Sequence, residues 1–230
     1  MKREIIFDTE TTGLDPFKGD RIVEIGCVEV ENLVPTGRTF HMYLNPEREI
    51  PAEATAVHGI TNEMVKDKPL FIDVASDFME FVGEDGILVA HNAGFDMKFI
   101  NWELGQCGYR PIENTRVVDT LVIARRQAPG APASLDALCK RFNIDNSNRK
   151  FHGALLDAQL LAEVYLELRG GRQQGLGLGD TNGEDGNEVA HLEQKRKLRS
   201  FALPEADLLA HAEFLKQLKD PLWVKVEGAS

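Results

Sequence analysis

An α/β fold, with a mixed β-sheet flanked by helices, a flexible linker and a short helical C-terminal tail, is the architecture this sequence predicts. Three observations carry that expectation. The residues before Pro46 hold three β-favouring runs; between Ile72 and Leu168 short apolar runs alternate with segments of helical periodicity; and at Gly170 the composition shifts abruptly to Gly, Gln, Asn and Asp. Strands first, then strands interleaved with helices, place helices on the faces of a mixed sheet.

The first strand is Ile5-Ile6-Phe7, running into Asp8-Thr9-Glu10-Thr11-Thr12-Gly13-Leu14. Arg21 to Val30 alternates and is rich in Val and Ile, and Arg38 to Leu44 continues in the same style, so an antiparallel meander is expected. Pro46 and Pro51 end the sheet pattern, and Ala54 to Thr61 leads into Thr61-Asn62-Glu63-Met64, a capping-like start to a short helix. From Ile72 to Val82, the residues Val74, Ala75, Phe78, Met79 and Val82 share one helical face. Gly86 to Ala90 is continuously apolar and reads as a strand buried on both sides. Phe95 to Gln106 reads as a helix closing at Gly108, Val117-Val118-Asp119 as a short interior strand, and Leu121 to Arg126, Ser134 to Phe142 and Leu155 to Leu168 as further helices.

These readings divide the chain into a domain at 1–168, a linker at 169–188, whose polar composition buries too little apolar surface to order it, and a tail at 189–230. In the tail, Lys195 to Arg199 is a basic run best placed on a solvated helix face. Pro204 to Leu218 aligns Leu208, Leu209, Ala212, Leu215 and Leu218 on one face. A lone amphipathic helix either folds back on its own domain or docks on a partner. Pro221-Leu222-Trp223 behind it, an apolar anchor, favours the partner.

With 230 residues, 43% of them apolar, the chain has room for one full domain and an appendage. A net charge of −11 argues against holding nucleic acid on a broad basic face, although phosphates can still be reached through metals. Cys27, Cys107 and Cys139 are far apart, form no C-x-x-C pair, and are expected to be buried free thiols of a reducing compartment. The N-terminus shows no signal-peptide core and no window is apolar for 18 residues, so a cytoplasmic protein without a membrane contact is expected.

Side chains alternate along a strand, so Asp8 and Glu10 fall on one face. Two anions that close raise each other's pKa unless a proton or cation sits between them, which asks for a hard divalent metal. The other reading is an edge strand with solvated acids. After the buried strand comes His91-Asn92-Ala93-Gly94-Phe95-Asp96, where Asp96 falls in the first turn of a helix, a place an acid also takes merely to meet the helix dipole. The third group is His152-Gly153-Ala154-Leu155-Leu156-Asp157-Ala158. If His152 lies in the loop before the last helix, Asp157 faces inward from the early turns while the imidazole hangs over the same space; within one continuous helix the two would diverge.

Asp8-Thr9-Glu10-Thr11-Thr12-Gly13, His91 to Asp96 and His152 to Ala158 resemble, in order and spacing, the three exonuclease motifs of the DEDDh 3′→5′ exonucleases. The resemblance covers about the first 168 residues and implies a ribonuclease H-like fold. The fit of His58-Gly59-Ile60-Thr61, and a linker with a helical tail ending near Leu222-Trp223, are similar to the proofreading branch of that family. That branch acts on the single-stranded 3′ end of DNA and binds the catalytic (alpha) subunit of DNA polymerase III, here through the C-terminal tail.

The resemblance implies metal ligands at Asp8, Glu10, Asp96 and Asp157, holding two Mg²⁺ with Mn²⁺ as a substitute, and His152 as the general base that takes the proton of the attacking water. In-line displacement leaves negative charge on both the attacking and the leaving oxygen, and two cations about 3.5–4 Å apart stabilise both. It also places Thr9, Glu10, Thr11, Thr12, Leu14, His58, His91, Asn92, Phe95 and Asp157 around the terminal nucleotide, His58 without a catalytic part. Leu14 and Phe95 have a competing reading as core residues. In the linker, Gln173, Leu176 and Leu178 are similar to the Q-x-x-L-x-(L/F) pattern that docks on the sliding clamp, with Leu178 in place of the usual aromatic residue. A stand-alone exonuclease acting on RNA or single strands, and a non-catalytic replicase adaptor, are the alternative functions.

Overall fold

The computed structural model describes residues 3–147, 149, 151–170 and 204–217. Its centre is a five-stranded sheet in the order β3-β2-β1-β4-β5. Strand β1 (Arg3–Thr11) pairs antiparallel with β2 (Ile22–Glu31), which pairs antiparallel with β3 (Val34–Tyr43); on the other side β1 runs parallel to β4 (Ile87–Ala90), and β4 parallel to β5 (Val117–Asp119). The sheet is therefore mixed, as the strand runs predict.

Alternation along β1 sorts its side chains into two layers. Ile5 and Phe7 join a core with α3 (Phe71–Val82) and α4 (Ala93–Gln106); Ile6 joins a second core with α5 (Thr120–Gln127), α6 (Leu135–Phe142) and α7 (Ala154–Leu168). Leu88, Val89 and Ala90 are all fully buried, as the unbroken apolar run of β4 requires. A smaller cluster of Val23, Ile50, Ile60 and Val65 lies under α1 (Ala52–His58) and α2 (Asn62–Val65).

The differences from the sequence reading have local causes. Helix α1 was not expected as a helix: Pro51, read as ending the sheet pattern, is also its N-cap. Thr61 is the N-cap of the single-turn α2 but its side chain makes no capping bond; the Asn62 side chain accepts from the Ile50 N–H. Strand β3 starts four residues earlier than expected, at Val34, with Pro35 and Gly37 tolerated because it is an edge strand. Cys27 and Cys139 are buried, whereas Cys107 is only partly so, at the end of α4.

Helix α8 (Glu205–Gln217), in a separate unit of the chain, falls where the tail periodicity predicts a helix, and Leu208, Leu209 and Phe214 are exposed on it. The linker residues Gln173, Leu176 and Leu178, the basic run, Leu218 and Pro221-Leu222-Trp223 lie outside the described residues.

Helix α7 lies directly on β1 and β2. Ala154, Ala158 and Ala162, four residues apart, turn small side chains to the sheet, and beneath the first of them is Gly26. A Cβ on Gly26 would stand 2.2–2.4 Å from the backbone of Ala154 and Leu155. Since backbone cannot move aside as a flexible side chain can, Gly26→Ala is expected to destabilise the domain by about 1–3 kcal/mol in urea unfolding, the usual cost of overpacking. Activity should fall further than stability explains, because the same displacement shifts Asp157.

Candidate active site

The three motif segments meet at one end of the sheet, where β1 and β4 finish. Asp8 and Glu10 project from β1 toward the α7 layer, opposite Gly26 and Glu24 of β2. The β1–β2 register shifts between Glu10 and Thr11, an irregularity of the kind that re-aims side chains beside functional sites. Asp157 enters from the first turn of α7. His152 lies in the loop before α7, which begins after Gly153, so the condition for histidine and acid to meet is satisfied: His152 Nδ1 is 3.5 Å from Asp157 Oδ2.

Asp96 arrives from the other layer, in the first turn of α4. Its Oδ1 accepts from the Thr9 N–H at 3.1 Å and the Thr9 hydroxyl at 2.7 Å. Thr9 thus faces away from Asp8 and Glu10 and tethers the fourth acid to the same strand. Both helices aim their positive N-terminal ends at the cluster, partly offsetting its charge.

The electrostatics are those of a buried cluster of acids only partly offset by Arg149. Burial, then Asp96, Glu10 and Asp157 in turn, raise the Asp8 carboxyl well above its ordinary range. Burial first, with Asp157, Glu24 and Asp96 adding to it, lifts Glu10 to about 8, and burial lifts Asp96 to about 7 against the bonds from Thr9. Ligand atoms of Glu10, His152 and Asp157 lie within 4.8 Å of one another, a donor set of carboxylate oxygen and imidazole nitrogen that suits a divalent cation.

The residues expected around the substrate separate into two groups. Thr12 is buried, its N–H donating to the Arg21 carbonyl and its hydroxyl accepting from the Arg21 N–H, and Thr11 donates to the Gly13 carbonyl; these bonds shape the turn after β1. Leu14 is 79% exposed, which removes its core reading, whereas half-buried Phe95 does pack on the core. Both line a cavity of about 570 Å³ together with Thr11, His58 and Ala54. His58 ends helix α1; its Nδ1 accepts from the Ile60 N–H, its Nε2 is buried near the Thr11 backbone, and burial lowers its pKa. A second cavity, of about 330 Å³, holds Asp8, Asp96, His152 and Asp157. Thr9, Glu10 and Phe95 line both, and are the wall between them. His91 is bonded to the Thr120 hydroxyl, and Asn92, in the left-handed conformation at φ 65°, donates its N–H to Asp119; both border the smaller cavity.

Three contributors were not anticipated. Arg149 bonds to Asp157 and His152. Glu24, buried, accepts from the Ala154 N–H and so caps α7, while its other oxygen meets His41. The His152 N–H donates to the Val57 carbonyl, and Phe151 packs against Gly59, tying the histidine loop to α1. None forms a local motif; Arg149, three residues before His152, carried the nearest signal.

A mixed sheet with helices on both faces and four acids and a histidine at its end defines a ribonuclease H-like nuclease. The sequence model of the family described as exonuclease matches residues 5–165. DNA polymerase III subunit epsilon of Rickettsia felis is 50% identical over 222 residues, spanning 94% of this chain and 96% of the relative. The protein of that name from Escherichia coli K12 is 44% identical over 223 residues, spanning 92% and 91%. A solved structure of exonuclease X in complex with 5′ overhanging duplex DNA matches with TM-score 0.57 and 32% identity, over 73% of this chain and 90% of that one. The chain belongs to the exonuclease family and, within it, to the epsilon subunits of DNA polymerase III. No helix among the described residues is long and apolar enough to cross a membrane.

The raised acids set a pH dependence for the metal-free protein. Glu10 and Asp96 hold protons in the folded state up to about 8 and 7, where the unfolded chain has already lost them from near 4.5 and 3.8. The folded state binds more protons across that window, so stability falls as pH rises through it. Melting temperature in chelator should therefore decline from pH 5 to 8, and saturating Mn²⁺ or the substitution Glu10→Gln should flatten the decline.

Proposed function

We infer that this enzyme is a 3′→5′ proofreading exonuclease that hydrolyses the last phosphodiester of a DNA primer strand. The observation that carries the reading is the shared wall of Thr9, Glu10 and Phe95: it sets a nucleotide-sized, largely apolar cavity against a cavity of acids. A terminal base and sugar enter the first, among Leu14, Phe95 and His58, and the phosphate then lies beside the second.

Asp8, Glu10 and Asp157 would hold one divalent cation and Asp8 with Asp96 a second, Mg²⁺ by preference for oxygen ligands and Mn²⁺ in its place. Bound there, two cations supply charge stabilisation to both the attacking and the leaving oxygen. The chain's own residues do the rest. Thr9 fixes Asp96 against β1. His152, with its side chain about half exposed at the rim, receives the proton of the attacking water. Phe95 and Leu14 offer apolar faces to the terminal base. A cavity that admits one unpaired nucleotide favours mispaired ends, because these cost less to unstack.

The exposed leucines of α8 support docking of the tail on the polymerase alpha subunit, and Gln173, Leu176 and Leu178 would add a contact with the sliding clamp. Both belong to a cytoplasmic replication complex.

Nucleotide release with Mg²⁺ tests the reading. Mismatched primer-template and single-stranded DNA should be degraded faster than matched duplex, Asp8→Ala should release nothing, and His152→Ala should lose roughly 10²–10⁴-fold in rate. Preference for RNA would overturn the assignment to DNA. A chain truncated after Leu168 should keep nucleotide release and no longer co-purify with the alpha subunit.

A further inference from the structure

Arg149 occupies the atoms a cation would need. Its Nε and Nη2 donate to the two oxygens of Asp157 at 2.5 and 2.6 Å, and Nη2 also meets His152 Nδ1 at 2.9 Å. Asp157 and His152 are two of the three residues whose ligand atoms converge within 4.8 Å. With both carboxylate oxygens taken by the guanidinium fork, a divalent cation and Arg149 compete for the oxygens of Asp157, while the same fork also holds the imidazole nitrogen of His152. A guanidinium does not deprotonate in a protein, so it yields the site only by moving.

We propose that Arg149 is the resident counter-ion of the metal-free site, displaced when a divalent cation binds. The need for such a group follows from burial: the side chains of Asp157 and Arg149 are 4% and 7% exposed, and an uncompensated carboxylate there would be costly. An outer anchor exists for the displaced state. Arg149 Nη1 also bonds at 2.8 Å to Asp136, whose side chain is 58% exposed and which receives a second bond from Asn146, so the arginine can leave Asp157 and remain held at the cavity mouth. Displacement releases Asp157 and His152 in one movement, which couples arrival of the cation to availability of the base. In the metal-free state the Nη2 donor covers His152 Nδ1.

The inference rests on the cation reading of the site, and its test keeps the two apart. Mn²⁺ binding to the full chain, followed by electron paramagnetic resonance of the free ion, and melting temperature in chelator are measured for the wild type, Arg149→Gln and Arg149→Lys. Competition predicts that Arg149→Gln binds Mn²⁺ about tenfold more tightly, within the usual range of coupling between linked sites. It should also melt lower in chelator, with the gap closing at saturating Mn²⁺, and Arg149→Lys should fall between. Unchanged or weaker Mn²⁺ affinity in Arg149→Gln overturns the proposal while leaving the cation reading intact. Absence of Mn²⁺ binding in the wild type removes both. If Arg149→Gln does not fold in chelator, Arg149→Lys decides: tighter binding than wild type supports the counter-ion, equal or weaker binding overturns it.

Discussion

Asp8, Glu10, Asp96 and Asp157 are held close together in a space largely closed to water, and the rest of the domain is built to keep them there. Burial first, and then the neighbouring carboxylates, make these acids hard to ionise, lifting Glu10 to about 8. A flexible site would relax by turning its acids outward. Here they cannot turn, because Asp8 and Glu10 are fixed by the pleat of a central strand, Asp157 by a helix packed on the sheet, and Asp96 by two bonds from Thr9. The acids also come from both layers: three reach in from the α7 side, while Asp96 crosses from the α4 side at the strand ends. No single layer has to carry the whole charge.

Close approach of α7 to the sheet is the packing feature on which this depends. Gly26 pairs with Asp8 across the β1–β2 ladder and leaves room above itself for the helix backbone. Glu24, two residues earlier and opposite Glu10, uses the same proximity to cap the helix through the Ala154 N–H. One oxygen of Glu24 thus positions the element that bears Asp157, while its charge raises the pKa of Glu10 further. Tension between fixing the site and loading it with more negative charge is offset in part by two helix N-termini and by Arg149.

The legible part of this molecule was its local part. Strand β4 is an unbroken apolar run, α3 shows a clear stripe, and the motifs around Asp8, Asp96 and Asp157 each lie within a few residues. Hidden features were those whose meaning arises from a distant segment. Gly26 has no signal within its own strand, because the helix backbone it admits comes from Ala154 and Leu155. Glu24 has no local signal, because its helix partner is 130 residues away. Helix α1 was masked by prolines that serve equally to end a sheet and to start a helix. Arg149 has only its nearness to His152 in sequence as a signal, since one arginine in a polar loop has many uses, and the folded geometry brings its fork to Asp157.

Charge explains why the functional surface is so compact. A chain of net charge −11 gains little from long-range attraction to a phosphate backbone. On the proposed reading affinity comes from short-range contact: cations gathered at the acid cluster and a cavity whose apolar lining would meet one nucleotide. Contact confined to the terminus cannot read sequence, because apolar stacking surfaces accept any base. It responds instead to how readily the end of a strand separates from its complement, and that is the property by which a mispaired end differs from a correct one.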